Sequence, residues 1–201
     1  MTAKRAENQF RSFRRRLGTL AGDFLTLGVP LSMARAPGRL DVMGGVADYS
    51  GGTVLEGTLG EAALVAVQPR GDDLLVAHSY QATAHGWRTP VTLHLADLYT
   101  AGRLKSPAQL RVLFPREAHW ASYVLGAFPV LARNRIVSRW PHGATLVLDS
   151  DVPMGAGVAS SGAIEVATMA ALLHAYDLAL DGLRLARLCQ QVENHVAGAP
   201  C

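Results

Sequence analysis

The chain has 201 residues, 49% of them hydrophobic and 17% charged, which is enough apolar material for one folded domain with a real core. This composition excludes a disordered chain, no uncharged apolar run approaches the roughly 20 residues of a membrane span, and the chain start lacks the apolar segment of a secretory signal. The net charge of +3 is modest and unevenly placed, and two cysteines, Cys189 and Cys201, are too few for a disulfide framework, so a reducing cytoplasm is the expected compartment.

Residues 6–27 read as a helix closed by Gly28-Val29-Pro30. Lys4, Arg5, Arg11, Arg14, Arg15 and Arg16 crowd the first sixteen residues. A basic patch can bind nucleic acid or an anionic membrane surface, but a solvated helix face at the domain edge is the simpler reading, so neither partner is expected. "LSMARAPGRLDVMGG" follows as an extended segment, with Pro37-Gly38 as a turn and Gly44-Gly45 as a second break. "GTVLEGT", "EAALVAVQP", "DLLVAHSY" and "VTLHLADL" read as strands. From Glu117 to Arg133 the spacing of Trp120, Tyr123, Val124, Ala127 and Leu131 is helical. "ATLVLDSDVP" is a strand, and two helices follow near 159–176 and 181–197. Strands followed by helices predict an α+β layer arrangement.

The stretch "DVPMGAGVASSGAIEVA", residues 151–167, joins that strand to the first of these helices. A helix start exposes unpaired N–H groups and the positive end of the helix dipole. Gly155 and Gly157 let the backbone wrap an anion closely, and Ser160 and Ser161 add hydroxyls that can bind phosphate or a magnesium ion. The loop has neither the Walker pattern, since no lysine follows the glycines, nor a G-x-G-x-x-G dinucleotide fingerprint. Serine is also a preferred N-cap, so the segment alone leaves phosphate binding and an ordinary capped helix both open.

"RAPGRLDVMGGVADYSGGTVLEG" (35–57), "HWASYVLG" (119–126), "PMGAGVASSGA" (153–163) and "VENHVAGAPC" (192–201) occur in this order. Together they resemble the GHMP family of small-molecule kinases, most closely its galactokinase and L-arabinokinase branch. The resemblance runs from about residue 31 to residue 201 and implies the family's two-layer α+β N-terminal domain, which is similar to the second domain of ribosomal protein S5. It also implies ATP-dependent phosphorylation of a sugar at its anomeric hydroxyl.

By resemblance, Pro153, Gly155, Ala156, Gly157, Ser160 and Ser161 hold the ATP phosphates. Ser161, with Ser160 as the alternative, and Glu193 hold Mg2+. Arg39 balances the charge that develops beside the anomeric hydroxyl; without the family it reads as a turn arginine. Asp48 accepts hydrogen bonds from sugar hydroxyls, with Tyr49 and Gly45 beside it. Glu193 also borders an apolar stripe of Leu185, Leu188, Cys189, Val192 and Val196, where a partly desolvated carboxylate seeks a cation. His174 and His195 have no evident partner and read as structural or exposed. The pattern departs from galactokinase at Gly45-Val46, where that branch has Glu-His; losing two hydrogen-bonding side chains suits a pentose, so L-arabinose is favoured and galactose stays open.

The family's catalytic aspartate would follow "GAPC" within a few residues, and its second domain would come after it. The chain is therefore expected to be the N-terminal domain of a longer kinase, itself inactive, with an apolar face where the second domain docks. The rival readings are a sugar and nucleotide sensor without chemistry and an S5-like nucleic-acid module.

Overall fold

The computed structural model describes residues 3–20 and 23–199, apart from the side chains of Val46, Asp48 and Tyr49. Helix α1 (Ala3–Gly18) carries Phe10, Phe13 and Leu17 on one face. The basic side chains outside that face are exposed to solvent, as expected, whereas the apolar face is turned inward. It covers one side of the central sheet, where Phe13 and Leu17 pack with Leu64, Ala66 and Val147. Part of its positive charge is spent on this contact: Arg5 pairs with Glu61 and Arg16 with Asp149, both at 2.6 Å, and the Arg16 guanidinium stacks on Tyr80. The helix stops at Gly18, short of the expected residue 27. The buried Gln68 side chain instead secures the segment after it, accepting from Thr26 N and donating to the carbonyls of Thr26 and Val29.

Strands β1 (Ser32–Met43) and β2 (Leu55–Pro69) form a long antiparallel hairpin joined through a 3-10 turn, Gly45–Ser50. Pro37 and Gly38, expected as a turn, lie inside β1 at a register shift. Proline cannot donate to the ladder and is tolerated at such an irregularity. Gly38 is there for space: a Cβ would lie 2.9 Å from Val152 Cγ1 and 3.0 Å from the Val158 carbonyl oxygen. The two strands expected at 52–58 and 61–69 are one, β2. Its run Ala62–Gln68 is buried throughout because both faces are covered, Ala63, Val65 and Val67 by the main core and Leu64 and Ala66 by α1.

β3 (Leu74–Ser79) leads into α2 (Tyr80–Ala84), capped by Ser79 Oγ, and β4 (Val91–His94). The strand expected to reach residue 98 ends at His94, because the Asp97 carboxylate accepts from His94 N and starts a 3-10 turn, Leu95–Leu98. The small hairpin β5 (Tyr99–Thr100) and β6 (Arg103–Leu104) and the Ser106-capped α3 (Pro107–Arg111) follow. The expected helix at 117–133 is a 3-10 turn, Arg116–Ala121, then α4 (Ser122–Leu125) and α5 (Ala127–Arg133). β7 (Ala144–Ser150) delivers the chain into the glycine loop, then α6 (Ser160–Ala175) and α7 (Gly182–Gln191), which continues as a π-turn, Val192–Ala197.

The five-stranded sheet has the order β1-β2-β7-β3-β4, antiparallel except for the β3–β7 pair. α6 crosses β1 and β2, and the main core lies between this sheet face and α4 to α7. The architecture is the expected α+β, with α1 as an added layer on the opposite face. Leu40, Val42, Met43 and Leu55, near the far end of the β1–β2 hairpin, are at least half exposed. Among the described residues, no helix is long and apolar enough to cross a membrane.

Candidate active site

The glycine loop owes its shape to backbone conformation. Gly155 and Gly157 have φ of +69° and +71°, in the left-handed region that favours glycine, and no atom lies within 4 Å of where their Cβ atoms would be. Ala159 (φ 53°) takes the same region and occupies the N-cap of α6. The serine cap that the sequence left open is absent: Ala159 offers no side-chain acceptor, and Ser160 and Ser161 are the first residues inside the helix. By contrast, the first turns of α2, α3 and α7 are capped by Ser79, Ser106 and Asp181. The start of α6 therefore keeps N–H groups without a capping side chain, which, with the helix dipole, favours an anion.

These groups open into a cleft of about 1410 Å³, larger than the roughly 300–1,000 Å³ of an ordinary ligand pocket. Gly155, Gly157, Ser160 and Ser161 line one part of it, and Arg39 borders the same space. Trp87, Arg116, His119, Trp120 and Tyr123 form another wall. The Trp120 indole N–H donates to the Arg88 carbonyl at 2.9 Å, and Trp87 stacks on His85 at 5.0 Å. Strand β1 and the glycine loop touch directly, because Arg39 N donates to the Val158 carbonyl at 3.0 Å.

Arg39 is a strand residue and not a turn arginine. Its Nη1 lies 2.9 Å from Glu56 Oε1, and its Nε lies 3.3 Å from Asp41 Oδ1 without the alignment of a hydrogen bond. Glu193 sits in the π-turn and lines the cleft. Gly45 opens the 3-10 turn after β1 and is not among the cleft-lining residues. The Asp48 and Tyr49 side chains, expected on the sugar, lie outside the described residues. Pro153 and Ala156 belong to the loop but do not face the cleft, whereas Met154 does. His174 has a partner after all: its Nδ1 is 2.9 Å from Ser32 Oγ. His195 Nδ1 is buried without one.

One carboxylate of the cleft escaped the sequence reading. Glu165 stands one helical turn after Ser161 on the same face of α6, only 2% exposed, and its Oε1 has no hydrogen-bond partner. Burial, and then the neighbouring Glu193 carboxyl, push its pKa up to about 10. Burial and Glu165 likewise push the Cys189 thiol up to about 12, and burial followed by both carboxyls raises Tyr123. The i, i+4 relation to Ser161 was readable, but the depth of the site was not. Among the described residues, no group of three or more His, Cys, Asp or Glu side chains could hold a metal by itself. A buried carboxyl with an unpaired oxygen beside Glu193 and a serine hydroxyl instead fits a magnesium ion that also takes phosphate oxygens and water.

A mixed sheet backed by helices, with an uncapped glycine-loop helix opening on a cleft, suits the binding of an anionic ligand, and comparison with known proteins gives the family. Residues 122–201 match the GHMP kinases N terminal domain, and residues 26–69 match the galactokinase galactose-binding signature. The chain belongs to the GHMP kinase family. L-arabinokinase of Arabidopsis thaliana is 39% identical over 204 residues, covering 90% of this chain and 20% of that protein. Galactokinase of Streptomyces coelicolor is 38% identical over 171 residues, covering 85% of this chain and 39% of the relative. The crystal structure of Lactococcus lactis galactokinase complexed with galactose superposes with a TM-score of 0.73 at 19% identity, over 96% of this chain and 44% of that one. Methanococcus jannaschii mevalonate kinase gives 0.65 at 15%, over 87% and 49%. The chain thus spans well under half the length of these curated relatives.

Proposed function

We propose that this chain is the N-terminal part of an ATP-dependent sugar kinase that phosphorylates the anomeric hydroxyl of an aldose, with L-arabinose preferred over galactose. The observation that carries the reading is the uncapped start of α6 behind two glycines of positive φ, opening on the cleft that Arg39, Glu165 and Glu193 also line. The N–H groups of residues 155–161 would hold the β- and γ-phosphates, and the Trp87, Trp120 and Tyr123 wall offers flat apolar surface for the base.

Arg39, fixed at the strand that touches the phosphate loop, would stabilise charge on the transferring phosphoryl group as the sugar oxygen attacks the γ-phosphorus and the bond to ADP breaks. Ser161 and Glu193 would hold the Mg2+, which supplies neutralisation of the phosphate charge. Asp48, with Tyr49 and Gly45, would face the sugar, and Gly45-Val46 removes two polar side chains that a hexose site uses. The carboxylate that takes the hydroxyl proton is expected from polypeptide that the relatives have beyond the matched stretch, together with a second domain that covers the cleft. A reducing cytoplasm suits the free Cys189 thiol.

The test has two parts. The 201-residue chain should bind a fluorescent ADP analogue, measurably in EDTA and more tightly with Mg2+. The natural full-length protein should consume ATP faster with L-arabinose than with galactose. Binding of ADP without turnover on any aldose would make the protein a sensor; absence of nucleotide binding would refute the reading.

A further inference from the structure

We propose that Glu165 is a second carboxylate of the divalent-cation site, sharing the ion with Glu193 and the Ser161 hydroxyl. This rests on the nucleotide reading of the cleft but assigns a residue that neither the motifs nor the resemblance singled out. Among the described residues, Glu165 is the only buried carboxylic acid. It sits in a helix whose other deeply buried side chains include Ala163, Ala167, Met169 and Leu172, where an apolar residue would cost far less. Its carboxyl lies beside that of Glu193, which lines the same cleft.

Such a pair is costly in the protein alone, since two carboxyls that share a site cannot both ionise without a neutralising charge. One divalent ion removes that penalty. The unpartnered Glu165 Oε1 borders the cleft that Ser161 and Glu193 also line, so the donors come from two segments of the chain. Ser161 and Glu165 come from successive turns of α6. Glu193 comes from the π-turn, an irregularity that is frequent at functional sites and re-aims side chains. Two carboxylates and one hydroxyl leave positions for phosphate oxygens and water, which is how magnesium is usually held beside a nucleotide.

Mn2+ titrated into the 201-residue chain in the presence of ADP, read by the loss of the free-ion EPR signal, tests the assignment. Glu165→Gln keeps the shape of the side chain and removes its charge. It should weaken Mn2+ binding at least roughly tenfold, as Glu193→Gln should, while binding of a fluorescent ADP analogue in EDTA is no weaker than in the parent. Thermal denaturation is the second readout. Glu165→Leu should melt above the parent without metal, because the buried acid is gone, yet lose the rise in Tm that Mn2+ and ADP give the parent. Parent-like Mn2+ affinity in Glu165→Gln, with loss in Glu193→Gln, would overturn the role of Glu165 and leave the nucleotide site standing. A parent chain that binds the ADP analogue but no Mn2+ would overturn the cation site itself. A parent that binds neither would sink the nucleotide reading as well.

Discussion

Gly38→Ala is the substitution that most directly probes how β1 and the glycine loop are joined. The added methyl would sit 2.9 Å from Val152 Cγ1, 3.0 Å from the Val158 carbonyl oxygen and 3.2 Å from Leu59 Cδ1. One of these neighbours is backbone, so the loop itself must give way. Overpacking of this kind costs about 1–3 kcal/mol, and loss of the Arg39 N–H bond to the same carbonyl adds about 1 kcal/mol. For a chain of this length that is a fall in Tm of about 5–10 °C. Phe13→Ala is the control, because it empties the opposite face of the sheet, 1% exposed under α1, at a cost of about 3–5 kcal/mol. Differential scanning fluorimetry, and titration with Mg2+ and a fluorescent ADP analogue at a temperature where both variants are folded, separate the two effects. Gly38→Ala should weaken nucleotide binding about tenfold, a loss of about 1.4 kcal/mol, whereas Phe13→Ala should lower Tm and leave the affinity alone. Unchanged Tm and affinity in Gly38→Ala, or equal loss of affinity in both variants, would refute the coupling.

Two further outcomes follow from buried ionisable groups. Cys189, buried and with its thiol pushed up to about 12, should resist alkylation at pH 8 in the folded chain and react in denaturant, as read by peptide mapping; rapid labelling of the native protein would contradict the packing of α7 against α6. Glu165 has a folded pKa of about 10 against 4.5 as the ordinary value. The folded chain therefore holds a proton that the unfolded chain releases between these values, and stability should fall as pH rises through that window, by up to about 1.4 kcal/mol per unit from this group. Urea denaturation at pH 5, 7 and 9 should show a flatter profile in Glu165→Gln, and an identical slope in parent and variant would count against the buried acid.

Much of the site was legible because it is local. The strand, glycine loop and helix from residue 144 to 176 follow from one stretch of chain, and the serines at its helix start lie where periodicity puts them. What was not legible depends on partners distant in sequence. Nothing around Pro37-Gly38 distinguishes a turn from a strand irregularity; Val152 and Val158, more than a hundred residues away, decide it. In sequence α1 reads through its arginines alone; that Phe10, Phe13 and Leu17 cover the second face of the sheet depends on Leu64, Ala66 and Val147, far off in sequence. Glu165 reads as one charge in an alanine-rich helix until α7 and its π-turn fold over it. The short elements β5, β6, α2 and α3 carry too few residues for a period to emerge.

The central claim is that the loop before α6 and its uncapped first turn receive the phosphates of a nucleotide. Proton–nitrogen correlation spectra of the 201-residue chain, recorded while Mg2+ and ADP are added, test it most directly. The account predicts that the amides of Gly155, Gly157, Ser160, Ser161 and Gly162 move furthest and saturably. Stationary resonances at these five positions, with saturable shifts elsewhere or nowhere, would contradict it.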